Sequence, residues 1–110
     1  MVSLTKLRAL VLALSEVDEK ACYGTPGFYV RNKLFARVHQ DSETLVLKVE
    51  PGEREAMLAA SPKLFSITPP YQDTPWVLVS LARVTEVRLR ELLLEAWRIA
   101  APPKRVAIKQ

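Results

Sequence analysis

The sequence has little cysteine, histidine and glycine, and these shortages exclude several kinds of chemistry. Its 110 residues include one cysteine, one histidine and three glycines. A lone cysteine permits no internal disulfide, and Cys22 with His39 is too small a set for a zinc site. Three scattered glycines provide no phosphate-cradling loop. We therefore expect no metal and no cofactor, and the cysteine usage favours a cytoplasmic protein.

Long apolar runs are also lacking. A membrane-spanning helix needs roughly 18 consecutive apolar residues, and the leucine-rich beginning of the chain is interrupted by Lys6 and Arg8. We expect neither a signal peptide nor a membrane anchor, and hence no membrane partner.

No catalytic residue set is recognisable. Cys22 and His39 would need a third group to orient them as a nucleophile and its base, and the sequence indicates none. Neighbouring acids such as Asp18 and Glu19 are usually solvated, and no partner motif accompanies them. The sequence therefore predicts a protein that is not an enzyme.

What the sequence does have is enough apolar material for one compact domain. Its hydrophobic content of 49% can bury a core without cross-links. We expect a single domain over residues 1–103 and a short basic tail over residues 104–110. Sixteen basic and twelve acidic residues give a net charge of +4, which is compatible with nucleic acid without indicating it.

The hydrophobic pattern predicts an α+β fold. Leucines at intervals of three and four predict a first helix capped by Ser3 and a last helix capped by Thr85. Residues 28–49 predict three antiparallel strands joined by tight turns, a short helix follows Pro51, and two more strands are expected at 64–67 and 76–81. The expected order is α-β(3)-α-β(2)-α with about five strands, and residues 16–20 are expected to form a polar connection.

Alternation of apolar residues sets the register of these strands. A three-residue first turn, Arg31 to Lys33, pairs Val30 with Leu34, and the second turn pairs His39 with Thr44. One face of the sheet then receives Phe28, Val30, Leu34, Ala36, Val38, Leu45 and Leu47. The other face receives Tyr29, Phe35, Arg37, His39, Thr44, Val46 and Lys48.

The order of several short motifs resembles the MmcQ/YjbR family. They are YGTPGF at 23–28 running into KLFA at 33–36, LVLK at 45–48, EREAML at 53–58 before Ser61-Pro62, Trp76 opening a strand, and residues 91–101 followed by Pro-Lys-Arg. The resemblance covers nearly the whole chain, and its motifs are mostly small, aromatic and structural positions.

This resemblance implies a small domain whose antiparallel sheet is flanked by helices, a fold grouped with secretion-chaperone-like domains. It also implies DNA binding, because members of the family are regarded as DNA-binding proteins with a double-wing motif and without catalytic residues. The family often has a glycine-rich turn before the KLFA segment. This chain has Arg31-Asn32 there, so the tip of the wing is bulkier and more cationic.

The candidate binding site is the second face of the three-stranded unit. Four cations, Arg31, Lys33, Arg37 and Lys48, are expected to contact phosphates, while Tyr29 and Phe35 offer stacking surfaces. The alternative is that Phe35 and Val46 are covered by a helix or a dimer partner, and that the cations only solvate the rim.

Lys104 and Arg105 in the basic tail form a second candidate for phosphate contacts, although a charged tail also serves solubility alone. The two tryptophans, Trp76 and Trp97, are predicted to lie in the core. For Trp76 the alternative is a groove, shared with Tyr71, for a peptide or ligand.

The functional prediction is a non-enzymatic binding module with DNA as the leading partner. The alternative is a protein-interaction or chaperone-like module that binds another polypeptide or forms a homodimer.

Overall fold

The computed structural model describes residues 2–22 and 24–101, which form the α+β fold that the sequence predicted. The helices are α1 Leu4–Leu12, α2 Pro51–Ala60 and α3 Glu86–Ala100. The strands are β1 Val17–Cys22, β2 Thr25–Val30, β3 Lys33–Val38, β4 Thr44–Lys48, β5 Phe65–Ser66 and β6 Trp76–Ser80, with a short 3₁₀ turn at Pro69–Tyr71. They form one antiparallel sheet in the order β1-β2-β3-β4-β6-β5.

Both predicted helix caps are confirmed. The Ser3 hydroxyl accepts a hydrogen bond of 3.1 Å from the Lys6 amide, and the Thr85 hydroxyl accepts one of 3.1 Å from the Arg88 amide. Each bond satisfies an amide that has no partner within its helix. Helix α3 ends at Ala100, and the predicted tail at 104–110 lies outside the described residues.

The sheet has one strand more than predicted, because residues 17–22 form β1 rather than a polar connection. All six of its residues pair with β2, from Val17 opposite Val30 to Cys22 opposite Thr25. Strand β1 lies at the edge of the sheet, and its middle residues are exposed. Charged side chains are common on edge strands, where they discourage pairing with other chains. Because residues 18–20 are all charged, the hydrophobic pattern did not predict a strand here.

The predicted three-residue turn between β2 and β3 is wrong. The turn has two residues, Arg31 and Asn32, with φ angles of 49° and 68°, and Val30 pairs with Lys33. Positive φ at both positions is the type I′ geometry that suits a two-residue hairpin. The predicted pairing of Val30 with Leu34 is replaced by Tyr29 with Leu34.

A β-bulge restores the predicted register immediately afterwards. Tyr29 pairs with Leu34 but Phe28 pairs with Ala36, so Phe35 is the extra residue in β3. The second turn matches its prediction, since Val38 is opposite Leu45 and the His39 amide donates to the Thr44 carbonyl over 2.8 Å.

Helices α1 and α3 pack on one face of the sheet, here called the inner face, and enclose the core. The predicted apolar face is this inner face, with the exception of Leu34. The core includes Phe28, Val30, Ala36, Val38, Leu45 and Leu47, together with Leu7, Val11, Leu89 and Leu93 from the helices. No helix within the described ranges is long and apolar enough to cross a membrane.

Candidate functional site

The opposite surface of the sheet, here called the outer face, carries Tyr29 and Leu34. A Cβ atom added to Gly27 would lie 3.3 Å from both of these side chains and 2.8 Å from the Cys22 Cβ. The close approach shows that these side chains converge above Gly27. Position 27 therefore has no space for a larger residue unless its neighbours move.

Aromatic rings on the outer face are each paired with a cation. We call the three pairs the cation–aromatic row: Lys20 with Tyr29, Arg37 with Tyr71, and Lys48 with Trp76. The Lys20 and Lys48 ammonium groups lie 5.0 and 5.1 Å from the ring centroids of Tyr29 and Trp76. Arg37 lies 6.0 Å from the Tyr71 ring centroid and also donates a hydrogen bond to the Tyr71 hydroxyl. Such contacts are attractive because the ring face is negative.

The strand register places the two ends of this row on different strands but at similar positions along the strand direction. Lys48 of β4 is directly opposite Trp76 of β6, and Tyr29 of β2 is opposite Leu34 of β3. Neighbouring strands lie about 4.8 Å apart, so the three strand spacings from β2 to β6 amount to about 14 Å. The row therefore crosses most of the sheet.

Arg54 of α2 fixes the position of the loop that carries Tyr71 and Trp76. The Arg54 Nη1 atom donates to the carbonyls of Tyr71, Thr74 and Trp76 at 2.8, 2.7 and 3.1 Å, and Nη2 donates to the Gln72 carbonyl at 2.5 Å. Only 11% of the Arg54 side chain is exposed. One guanidinium therefore holds the loop that presents both aromatic residues.

The tip of the β2–β3 hairpin is less available than predicted. Arg31 forms a two-pronged ion pair with Glu16, with distances of 2.6 and 3.3 Å, and this contact raises the pKa of Arg31. The Asn32 side-chain oxygen accepts a 3.0 Å hydrogen bond from Lys20. Lys33 is exposed and forms no ion pair with any described residue. Of the predicted tip cations, Lys33 is therefore the one whose charge is not balanced locally.

The other predicted site residues have different outcomes. Tyr29, Arg37 and Lys48 lie on the outer face, as expected. Phe35 does not, because the bulge turns it into the core, where it is 0% exposed, so its predicted stacking role is wrong. Val46 is also buried within the single chain. Lys104 and Arg105 lie outside the described residues.

Sequence reasoning missed or misplaced three members of the row. Lys20 was missed because its strand was taken for a connection. Trp76 was expected in the core but is partly exposed beneath Lys48. Tyr71 was considered only as part of a groove with Trp76, although the proline-rich segment before Trp76 was a signal that this loop is held rigidly. The core prediction for Trp97 holds in part: its ring is partly buried against the core, and its indole nitrogen donates a 2.9 Å hydrogen bond to the Ser15 carbonyl.

A separate groove lies between α2 and α3. It encloses about 260 Å³ above an apolar floor that includes Leu47, Met57 and Leu92. Glu50 and Glu53 on its rim form no ion pair with another residue in the described ranges. Lys48 and Arg88 also line the groove, which therefore combines an apolar floor with a rim of mixed charge. Among the described residues, no cluster of three metal-ligating side chains is present.

Comparison with known proteins gives both sequence and structural similarity. A family model described as YjbR matches residues 12–99. The crystal structure of Deinococcus radiodurans protein DR2400, which carries the family-model domain DUF419, superposes with a TM-score of 0.77 and 26% identity, covering 90% of this chain and 78% of that one.

Relatives in two mycobacteria match a shorter stretch. Uncharacterized protein Rv2570 of Mycobacterium tuberculosis and uncharacterized protein Mb2600 of Mycobacterium bovis are each 37% identical over 57 residues, which is 52% of this chain. The match spans 44% of the length of each relative, so this chain corresponds to less than half of those proteins.

Proposed function

This chain belongs to the YjbR family, and from that premise we propose that it is a non-enzymatic module that binds nucleic acid, DNA in particular, on its outer face. The observation that supports the proposal is the cation–aromatic row. Positive groups next to aromatic rings suit a ligand that alternates phosphates with planar bases. The likeness to a DNA-binding family is consistent with this choice of ligand.

The cations have different parts in the proposed contact. Lys20 and Lys48 lie on aromatic rings and can contact phosphates without leaving the outer face. Lys33 is opposite Val30 of the core and therefore lies on the inner side of the sheet, away from this contact. Arg37 is fixed by its hydrogen bond to Tyr71 and mainly orients that ring. Arg31 contributes less, because Glu16 already neutralises it.

Fluorescence anisotropy of labelled DNA, titrated with protein at several salt concentrations, tests the proposal. Phosphate contacts predict that the logarithm of the affinity falls linearly with the logarithm of the salt concentration. The substitution Lys20→Glu should weaken binding of all sequences to a similar extent, because Lys20 is an exposed lysine on the outer face. Lys6→Glu is the matched control, because Lys6 is an exposed lysine on α1, which packs on the inner face.

Two results would contradict the proposal. The first is an absence of DNA binding even at low salt. The second is an equal loss of affinity in Lys20→Glu and Lys6→Glu, since a general charge effect would not depend on which side of the sheet the lysine occupies.

The α2–α3 groove supports a second candidate function, binding of an amphipathic segment from another protein. Its apolar floor suits aliphatic side chains. On the mixed rim, the carboxylates of Glu50 and Glu53 form no ion pair with another described residue and can receive lysine or arginine. A labelled peptide of alternating lysine and leucine is the probe. Binding that is lost in a Glu50→Gln/Glu53→Gln double variant would support this function, and unchanged binding would exclude the groove.

A further inference from the structure

The two hairpin tips next to the outer face are poorly suited to gripping a DNA duplex. At the β2–β3 tip, Arg31 is neutralised by Glu16 and Asn32 is engaged by Lys20. The remaining tip cation, Lys33, is opposite Val30 and lies on the inner side of the sheet. The β3–β4 tip carries Asp41 and Glu43, and both are exposed. Projecting elements that bind duplex DNA contact its phosphates with positive groups, which carboxylates repel. A duplex held between these tips would therefore meet little net attraction.

The surface between the tips has the opposite character. The rings of Tyr29 and Trp76 lie on the sheet with a lysine ammonium about 5 Å from each centroid. An aromatic ring on an open sheet stacks on an unpaired base, whereas bases in a duplex are already stacked on their neighbours. The ammonium group over each ring has to move aside for a base to stack, and from beside the ring it can contact the phosphate of the stacked nucleotide.

From this arrangement we propose that the outer face binds single-stranded nucleic acid, with bases stacked on Tyr29 and Trp76 and phosphates contacted by Lys20 and Lys48. This inference rests on the proposed nucleic-acid function and narrows it to unpaired strands. A span of about 14 Å between β2 and β6 accommodates roughly four stacked nucleotides at about 3.4 Å each. The site is therefore short.

Tryptophan fluorescence provides a direct test, because the chain has two tryptophans on opposite sides of the sheet. Trp97 packs against the inner-face core, so Trp97→Phe leaves Trp76 as the reporter. Titration of this variant with an oligothymidine of about eight nucleotides, longer than the predicted site, should quench its fluorescence as bases stack on the indole. A duplex of the same length should cause little quenching. Oligouridine, tested alongside, should also quench, because bases and phosphates are common to both nucleic acids.

Substitution of each tryptophan separates stacking from a loss of fold. Trp76→Leu should lower the affinity for the single strand by roughly 10-fold to 100-fold, the usual effect of losing one stacked base. Trp97→Phe should leave that affinity within about two-fold, since Trp97 lies away from the outer face. Circular dichroism of both variants verifies that the fold is retained.

The outcomes distinguish this inference from the broader proposal. Salt-dependent binding of the duplex that equals or exceeds binding of the single strand, without quenching of Trp76, would overturn the inference and leave the nucleic-acid function in place. Failure of both ligands to bind at low salt would overturn both. Quenching by the single strand together with the loss of affinity in Trp76→Leu would support both.

Discussion

Arg54 is the residue whose substitution tests the architecture of the outer face most directly. Its guanidinium donates hydrogen bonds to the carbonyls of four residues in the loop 71–76 while only 11% of the side chain is exposed. We predict that Arg54→Met, which keeps most of the aliphatic stem, destabilises the protein and frees the loop. Tyr71 and Trp76 would then lose their fixed positions.

The magnitude follows from the number of carbonyls left without a donor. A hydrogen bond from a charged group is worth roughly 1.5–3 kcal/mol. A buried carbonyl that loses its donor also stays desolvated, which costs additional free energy. Water can reach the exposed side of this loop, since Gln72 is exposed, so the four contacts do not add fully. We therefore expect the free energy of unfolding to fall by about 3 kcal/mol.

Urea unfolding measures this difference. With a slope of roughly 1.5 kcal/mol per molar urea, the midpoint of Arg54→Met should fall by about 2 M. Arg83→Met is the control, because Arg83 is exposed and forms no ion pair with another described residue, and it should change stability by less than about 0.5 kcal/mol. Equal midpoints for the two variants would refute the inference that Arg54 holds the loop.

Three further predictions concern charge. Glu16→Gln should raise DNA affinity in low-salt anisotropy by a few-fold, because it releases Arg31; an unchanged affinity would show that Arg31 does not reach the ligand. Lys48→Met should reduce the slope of log affinity against log salt by about 1, the contribution of one phosphate contact. Burial acts to raise the pKa of Asp41, but hydrogen bonds from Glu43 and Thr44 and the nearby His39 hold this pKa below its usual value. This stabilisation is present above the unfolded pKa of about 3.9 and is lost as pH falls through the lower folded pKa. Asp41→Asn should therefore lose less stability than the parent chain in urea unfolding between about pH 5 and pH 2.

Local signals in the sequence were sufficient for the helices and for much of the sheet. Ser3 and Thr85 cap their helices through residues three positions away, so the pattern contains both partners of each bond. Alternation placed Tyr29 and Lys48 on the outer face because side chains on a strand point to opposite sides in turn. These features depend on near neighbours, and they were predicted correctly.

Features that depend on distant residues were not predictable in this way. Strand β1 exists because β2 offers it a complete set of backbone partners, although its own sequence is polar. Phe35 faces the core because a two-residue turn shifts the register and a bulge shifts it back, and neither event changes the hydrophobic pattern around it. Arg54 contacts carbonyls 17 to 22 positions away, so nothing near it in the sequence distinguishes it from a solvated helix residue.

The pairing of each outer-face ring with a cation reconciles two demands on this surface. Exposed aromatic patches promote unwanted association, yet a stacking site requires rings that a base can reach. A lysine side chain lying on a ring covers it with aliphatic carbon while its ammonium group stays hydrated. When a nucleotide binds, the ammonium group needs to move only a short distance to contact the phosphate, and the ring becomes accessible to the base. In the proposed site, therefore, Lys20 and Lys48 protect the rings in the free protein and provide the phosphate contacts in the complex.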